Sequence, residues 1–413
     1  MFLNVDRARG LMKQHEIDAI IASTPENVTY LAGTVGWANK VYAYSVHMFA
    51  IFPLSEDISP ALIVPGQEAT YVSAQHSWIK EHYAFGGKST IVLPPGDSAQ
   101  GSEEETFLGM IQNDARRAKN PAAALAQALH ERGLERARLA VDGERIMPNV
   151  RRQIDEALPE ATIVEGADLF RLIRMVKTPA ELEALRAAAE LNDNAATAAS
   201  NAVAEGATEL EVATVYRTEV ARGGGMWRWF HFGSGRRSVT IFPPTEKKIR
   251  KGESWAFDAG LTLNNFCADT AWGGVVGEPT EEQLNLWKAS KAGYDAALSV
   301  VKAGVLPSEV FHAALEGTRA GGLPDHDGHF AGHAIGLEAR ELPYVLADPS
   351  PVKSPFLPTT TDIPLEDGTT ICVENPCRIF GIGGATAECT IIVRRDGYEP
   401  LLPQERRLWV IPV

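Results

Sequence analysis

Four carboxylates and a histidine in the second half of the chain have types and spacing that could do chemistry. Asp258 closes the run Trp255-Ala256-Phe257-Asp258, and Asp269 follows eleven residues later within Phe266-Cys267-Ala268-Asp269-Thr270. A hairpin bend between them puts both carboxylates on one face of a sheet. Like charges side by side repel unless a proton or a cation lies between them. Glu374 ends Thr370-Ile371-Cys372-Val373-Glu374, and Glu388 begins Glu388-Cys389-Thr390-Ile391-Ile392-Val393; Gly381, Gly383 and Gly384 permit a tight reversal between the two. A glutamate flanked by β-branched residues is costly to bury without a partner. His329 and His333 stand four apart in Gly328-His329-Phe330-Ala331-Gly332-His333-Ala334-Ile335-Gly336-Leu337-Glu338. Singly, each reads as a turn aspartate, an edge-strand glutamate or a structural histidine. Jointly, one imidazole and four carboxylates suit a pair of divalent ions such as manganese, cobalt, zinc or iron.

The elements that must position these residues are legible from their punctuation. Thr178-Pro179-Ala180-Glu181 is a capped helix start, and the alanine-rich helix it opens runs to about Ala204. Thr208-x-x-Glu211 opens a second helix that stops at Gly223, Thr280-x-x-Gln283 a third running to about Lys302, and a shorter fourth begins near Ser308. Strands are expected at Glu253–Asp258, Phe266–Ala271, Thr370–Glu374 and Glu388–Arg394. Residues 171–413 therefore read as an α+β unit whose helices cover an antiparallel sheet, with an exposed loop over Asp348–Asp362. Ahead of it, Ile17–Ala22, Met48–Phe52, Ala61–Val64 and Arg138–Asp142 read as strands and Ala122–Arg132 as a helix. Residues 1–170 are thus an α/β unit, with the boundary expected near Lys177.

Composition narrows the class further. The 413 residues carry 39 Lys+Arg against 53 Asp+Glu, a formal charge of −14, which speaks against nucleic-acid binding. Hydrophobic residues make up 45% of the chain, too many for disorder. No run approaches a membrane helix, and the N-terminus has no signal-peptide pattern, so a cytoplasmic protein without membrane or nucleic-acid partners is expected. Four cysteines without a Cys-x-x-Cys pair form neither a disulfide framework nor a zinc knuckle. Cys267 and Cys372 precede presumed ligands by two residues and Cys389 adjoins one, so they read as small buried residues or as soft neighbours of the site.

Asp258-Ala-Gly with Asp269, Gly-His333-Ala-Ile-Gly-Leu-Glu, Val-Glu374-Asn-Pro and Ala-Glu388-Cys-Thr-Ile-Ile-Val together resemble the pita-bread metallohydrolases of peptidase family M24. Prolidase, aminopeptidase P, methionine aminopeptidase and creatinase belong to that family. Thr24-Pro-Glu-Asn-Val-Thr-Tyr-Leu-Ala-Gly33 is similar to the start of the creatinase/prolidase-type N-terminal domain. The resemblance implies that Asp258 binds one ion, that Asp269 and Glu388 bridge two, and that His333 and Glu374 hold the second. It further implies a hydroxide between the ions as nucleophile, Glu374 as proton shuttle and His329 as a catalytic, substrate-contacting histidine. A homodimer is also implied, with Trp37 and Tyr42 as candidates to border a neighbouring subunit's site.

Two positions depart from the peptidase pattern. Where peptidase members carry a histidine between the Ser-Gly element and a following Pro-Thr, Phe242 stands; where they carry one after Gly-Leu-Glu, Arg340 stands, as in creatinase-like sequences. A guanidinium suits carboxylate binding better than proton transfer. Trp229 and His231, in Met226-Trp-Arg-Trp-Phe-His-Phe-Gly233, are further substrate-binding candidates. The expected activity is cleavage of a C–N bond in a small amide- or amidine-like compound or an Xaa-Pro dipeptide. Creatinase-like or ectoine-hydrolase-like chemistry, a lyase resembling those that act on dimethylsulfoniopropionate, and a binding module without catalysis are the alternatives.

Overall fold

The computed structural model describes all residues except 43–44, 76, 88–90, 92–93, 95, 240–241 and 404–405. The chain divides into two compact units, Met1–Arg174 and Met175–Val413.

The described residues of the first unit form seven strands: β1 (Ala19–Ala22), β2 (Phe49–Pro53), β3 (Ala61–Pro65), β4 (Glu81–Phe85), β5 (Arg117–Ala118), β6 (Arg138–Val141) and β7 (Thr162–Glu165). They pair in the order β5-β4-β3-β2-β1-β6-β7. β2 is antiparallel to both β1 and β3, and the remaining pairs are parallel. β1, β2 and β3 are buried along their whole length, which is why they read as unbroken apolar runs. The helix Pro121–His130 closes the core over Ile21, Ile51, Ile63 and Leu139. The polar or very short strands β4, β5 and β7 were beyond an apolar-run reading.

Among its described residues the second unit has eight strands in two sheets rather than the single sheet expected. One sheet has the order β15-β10-β9-β8, comprising β8 (Met226–Ser234), β9 (Ser254–Leu263), β10 (Phe266–Val276) and β15 (Trp409–Ile411). The other runs β11-β12-β13-β14, comprising β11 (Gly332–Ala334), β12 (Thr370–Ile379), β13 (Gly383–Arg394) and β14 (Gly397–Pro400). Both are antiparallel except where β15 joins β10 in parallel. The helices Pro179–Asn201 and Glu209–Arg222 pack on the first sheet, and Glu281–Val300 packs on the second. All three begin with the capping boxes expected at Thr178, Thr208 and Thr280. A fourth helix, Pro307–Ala320, packs against Glu281–Val300.

Other boundaries shift as well. The first of these helices ends at Asn201, and the segment 348–362 buries Phe356 and Leu357 amid otherwise more exposed residues. The larger correction concerns the carboxylates. Asp258, Glu374 and Glu388 lie inside strands, not at their ends, because each strand continues well past the apolar run that signals it. No helix among the described residues is long and apolar enough to cross a membrane.

Candidate metal centre

Strand register delivers the carboxylates. The β9–β10 hairpin turns through Asn264 and Asn265, whose φ angles of 50° and 70° are the left-handed pair that a two-residue hairpin needs. Asp258 then stands opposite Ala271 and Asp269 opposite Gly260. Cross-strand partners and i±2 residues share a face, so the two aspartates are diagonal neighbours. In the second sheet Glu374 and Glu388 are direct cross-strand partners. His333 enters from β11, opposite Cys372 and so on the face of Glu374. Gly332 makes that approach possible, since a Cβ there would overlap the Cys372 carbonyl.

The two sheets bring these faces together. His333 Nε2 lies 3.3 Å from Asp269 Oδ2 and 3.8 Å from Glu374 Oε1. Its Nδ1 is 3.1 Å from the Ala334 carbonyl; a proton on Nδ1 donates to that oxygen and leaves Nε2 for the acidic side. His333, Glu374 and Glu388 are buried. Asp269 Oδ1 and Glu388 Oε1 are sequestered from solvent with no hydrogen-bond donor.

The electrostatics follow from this crowding. Burial, then the charges of Asp269 and Glu374, push Asp258 up to about 8. Burial raises Glu374 to about 6, with His333, Arg340 and Arg378 opposing the rise. Glu388 lies well above the carboxylate range because it is buried and then faces Asp269, Glu374 and Asp258. For His333, burial disfavours the charge, but the hydrogen bond and charge of Asp269, with Glu374, outweigh it and raise the imidazole. Such a set holds several protons in place of positive charge. Orphaned carboxylate oxygens in a cluster that also offers an imidazole nitrogen fit divalent cations, which would hold the same groups deprotonated.

Metallopeptidase family M24 has a sequence profile that matches residues 183–395, and the creatinase/prolidase N-terminal domain matches residues 4–176. The chain belongs to metallopeptidase family M24. Similar curated proteins include the Xaa-Pro dipeptidase of Pyrococcus furiosus, 28% identical over 58% of this chain and 67% of that protein. The Xaa-Pro dipeptidase of Lactobacillus delbrueckii subsp. lactis is 21% identical over the full length of both. Among solved structures, an Xaa-Pro dipeptidase from Bacillus anthracis superposes with a TM-score of 0.76 at 21% identity, covering 98% of this chain and 99% of that one. The M24 pita-bread fold behind a creatinase/prolidase N-terminal domain, and the metallohydrolase class, are as the sequence implied.

Around this cluster of carboxylates and His333, the remaining candidates fall into two groups. His231 is half-buried, stands opposite Asp258, and is lowered by burial. It lines a small cavity with Ser238, Asp258, Glu374, Arg378 and Thr386. Trp229 stands opposite Gly260 and gives its indole N–H to Asp258 Oδ1 at 2.6 Å. His329 and Arg340 are exposed; the His329 ring tilts against Phe330, 5.1 Å between centroids, while Arg340 acts electrostatically on Glu374. Phe242, where M24 peptidases carry a histidine, has the Arg237 guanidinium 4.4 Å from its ring; positions 240–241 of that stretch lie outside the described residues.

Arg378 was missed by the sequence reading. It lies four residues after Glu374, and strand period alone puts it on the ligand face. Among the described residues it makes no ion pair. The four cysteines are buried thiols. Cys372 Sγ lies 3.2 Å from Thr390 Oγ1, and its sulfur and ligand atoms of Asp269 and His333 fall within 4.8 Å of one another. Burial, then the charges of Asp269 and Glu388, raise that thiol well above its ordinary range.

Proposed function

We propose that this M24 chain is a metal-dependent hydrolase that cleaves a C–N bond in a small, carboxylate-bearing substrate of about dipeptide size. The observation that carries the reading is the joining of two sheets' carboxylates around His333, with Asp269 Oδ1 and Glu388 Oε1 left without donors and with Asp258 and Glu374 lining a cavity. Asp258, Asp269, His333, Glu374 and Glu388 would hold two divalent ions, which when bound supply Lewis acidity and a water of lowered pKa. Glu374, at the cavity wall, takes the proton from the attacking water and passes it to the leaving nitrogen. His231 lines the same wall and orients the scissile group.

Charge balance favours an anionic substrate. Four carboxylates offset two divalent ions, so Arg378 and Arg340, both acting on Glu374, leave the surroundings positive. A guanidinium fork suits a carboxylate. The dipeptidase relatives support a dipeptide. Phe242 and Arg340, which stand where the peptidase pattern has histidines, support instead a small amide- or amidine-like compound. A panel of Xaa-Pro dipeptides, their C-terminal amides, and cyclic amidines, incubated with the Mn²⁺-loaded protein and read by product mass, separates the two. The expected result is a gain of one water, with free acids cleaved faster than their amides. Products that sum to the mass of the substrate would indicate elimination and reject hydrolysis.

A further inference from the structure

Trp229 stands at an irregularity in β8. Trp227 pairs with Leu261, but Trp229 pairs with Gly260, so the register slips by one residue at Arg228. Without that bulge Trp229 would oppose Ala259 and point to the other side of the sheet. With it, Trp229 and His231 face the side of Asp258, while Phe230 and Phe232 turn to the opposite side and stack on Phe257, with centroids 5.2 and 6.4 Å away. The bulge thus sorts one aromatic run into a packed face and a site face.

Beneath the indole the partner strand has no side chain. A Cβ on Gly260 would overlap the ring carbons of Trp229. The ring lies over this gap, and its Nε1–H donates to Asp258 Oδ1 at 2.6 Å. The carboxylate has no such donor on its own hairpin partner, Ala271. Bulge, glycine and indole together fix the rotation of Asp258 about its Cβ–Cγ bond.

We propose that Trp229 is a positioning residue for the metal centre: it holds Asp258 through Oδ1 and leaves Oδ2 to meet a cation. The proposal rests on the metal-dependent reading above and assigns Trp229 to the ligand rather than to substrate. Partners that hold a metal ligand in place are worth roughly 10–100-fold in metal affinity.

The test is calorimetric titration of the metal-stripped full chain with Mn²⁺ alone, with thermal unfolding checked by circular dichroism. Trp229→Phe keeps the ring and loses the donor; it should weaken one of two binding events by about 10–100-fold and leave the other within about threefold. Trp229→His, which retains an N–H, should recover part of that loss, and it carries the test alone if Trp229→Phe does not fold. Two unchanged affinities in a folded Trp229→Phe protein overturn the proposal, as does a Trp229→His protein that binds no better than the Phe variant or, standing alone, loses more than about 100-fold. A wild-type chain that takes up no Mn²⁺ instead overturns the metal reading itself, so the two failures are distinguishable.

Discussion

Glu209 and Glu388 are both buried glutamates in the second unit, yet their surroundings are opposite. Glu209 is fully buried, and both its oxygens are occupied. Ser234 donates from its N–H and Oγ, each at 3.0 Å, and Thr245 from its N–H at 3.1 Å and its Oγ1 at 2.8 Å. Arg237 Nε adds a charge-assisted bond at 3.3 Å. Glu388 is 2% exposed, has an oxygen with no donor, and faces other carboxylates. A buried charge is tolerated when it is paired and hydrogen-bonded. Glu209 meets that condition inside the fold, tying the start of the Glu209–Arg222 helix to β8. Glu388 does not, and a group left that way calls for a cation or a proton.

The sharpest way to break this contrast is to remove a ligand. Asp269→Ala should reduce both metal content and turnover to background, measured by elemental analysis and by the substrate panel; retained activity would remove the cluster from the chemistry. Glu209→Ala should do the reverse. It strands several buried donors and should cost about 3–5 kcal/mol in urea unfolding, while the folded fraction keeps its metal stoichiometry.

The next effect is smaller and has an unusual sign. Glu388→Gln relieves carboxylate crowding, so the metal-free variant should melt about 2–4 °C above metal-free wild type and lose the stabilisation that Mn²⁺ gives. The pH response follows the same logic. Asp258 at about 8 and Glu374 at about 6 lie above their ordinary values of 3.8 and 4.5. Groups raised on folding contribute stability that is fully present below the unfolded values and lost as pH rises through the folded ones. Metal-free protein should therefore lose stability from about pH 4 to pH 8 in thermal melts. With Mn²⁺ the trend should flatten or reverse, because the cation binds the deprotonated ligands. Smallest is Ser234→Ala, which removes one hydroxyl donor from Glu209 and should cost about 1 kcal/mol with no change in metal affinity.

That these carboxylates lie on neighbouring strands was legible because strand chemistry is local. The runs around Asp258, Asp269, Glu374 and Glu388 are rich in apolar, β-branched and aromatic residues, and glycines or Asn264-Asn265 mark the reversals. Helix starts were legible for the same reason, since Thr178, Thr208 and Thr280 cap within three residues of their own sequence. What escaped was non-local. That two sheets, not one, meet at His333 depends on packing that no window contains. The bulge at Arg228 inverts the sidedness of β8 without leaving a pattern in residue types. Strand ends were misplaced because β12 runs on through Asn375, Pro376 and Arg378, which no apolar signal marks. Arg378 could have been found by counting four from Glu374; the apparent end of the strand hid it.

The most direct test of the contrast is metal uptake by stripped wild type and Glu388→Gln, titrated with Mn²⁺ and followed by elemental analysis after desalting. Two ions per wild-type chain, and the loss of at least one from Glu388→Gln, are the predicted outcome. A wild-type chain that retains no metal, or a Glu388→Gln chain that retains two, would contradict it.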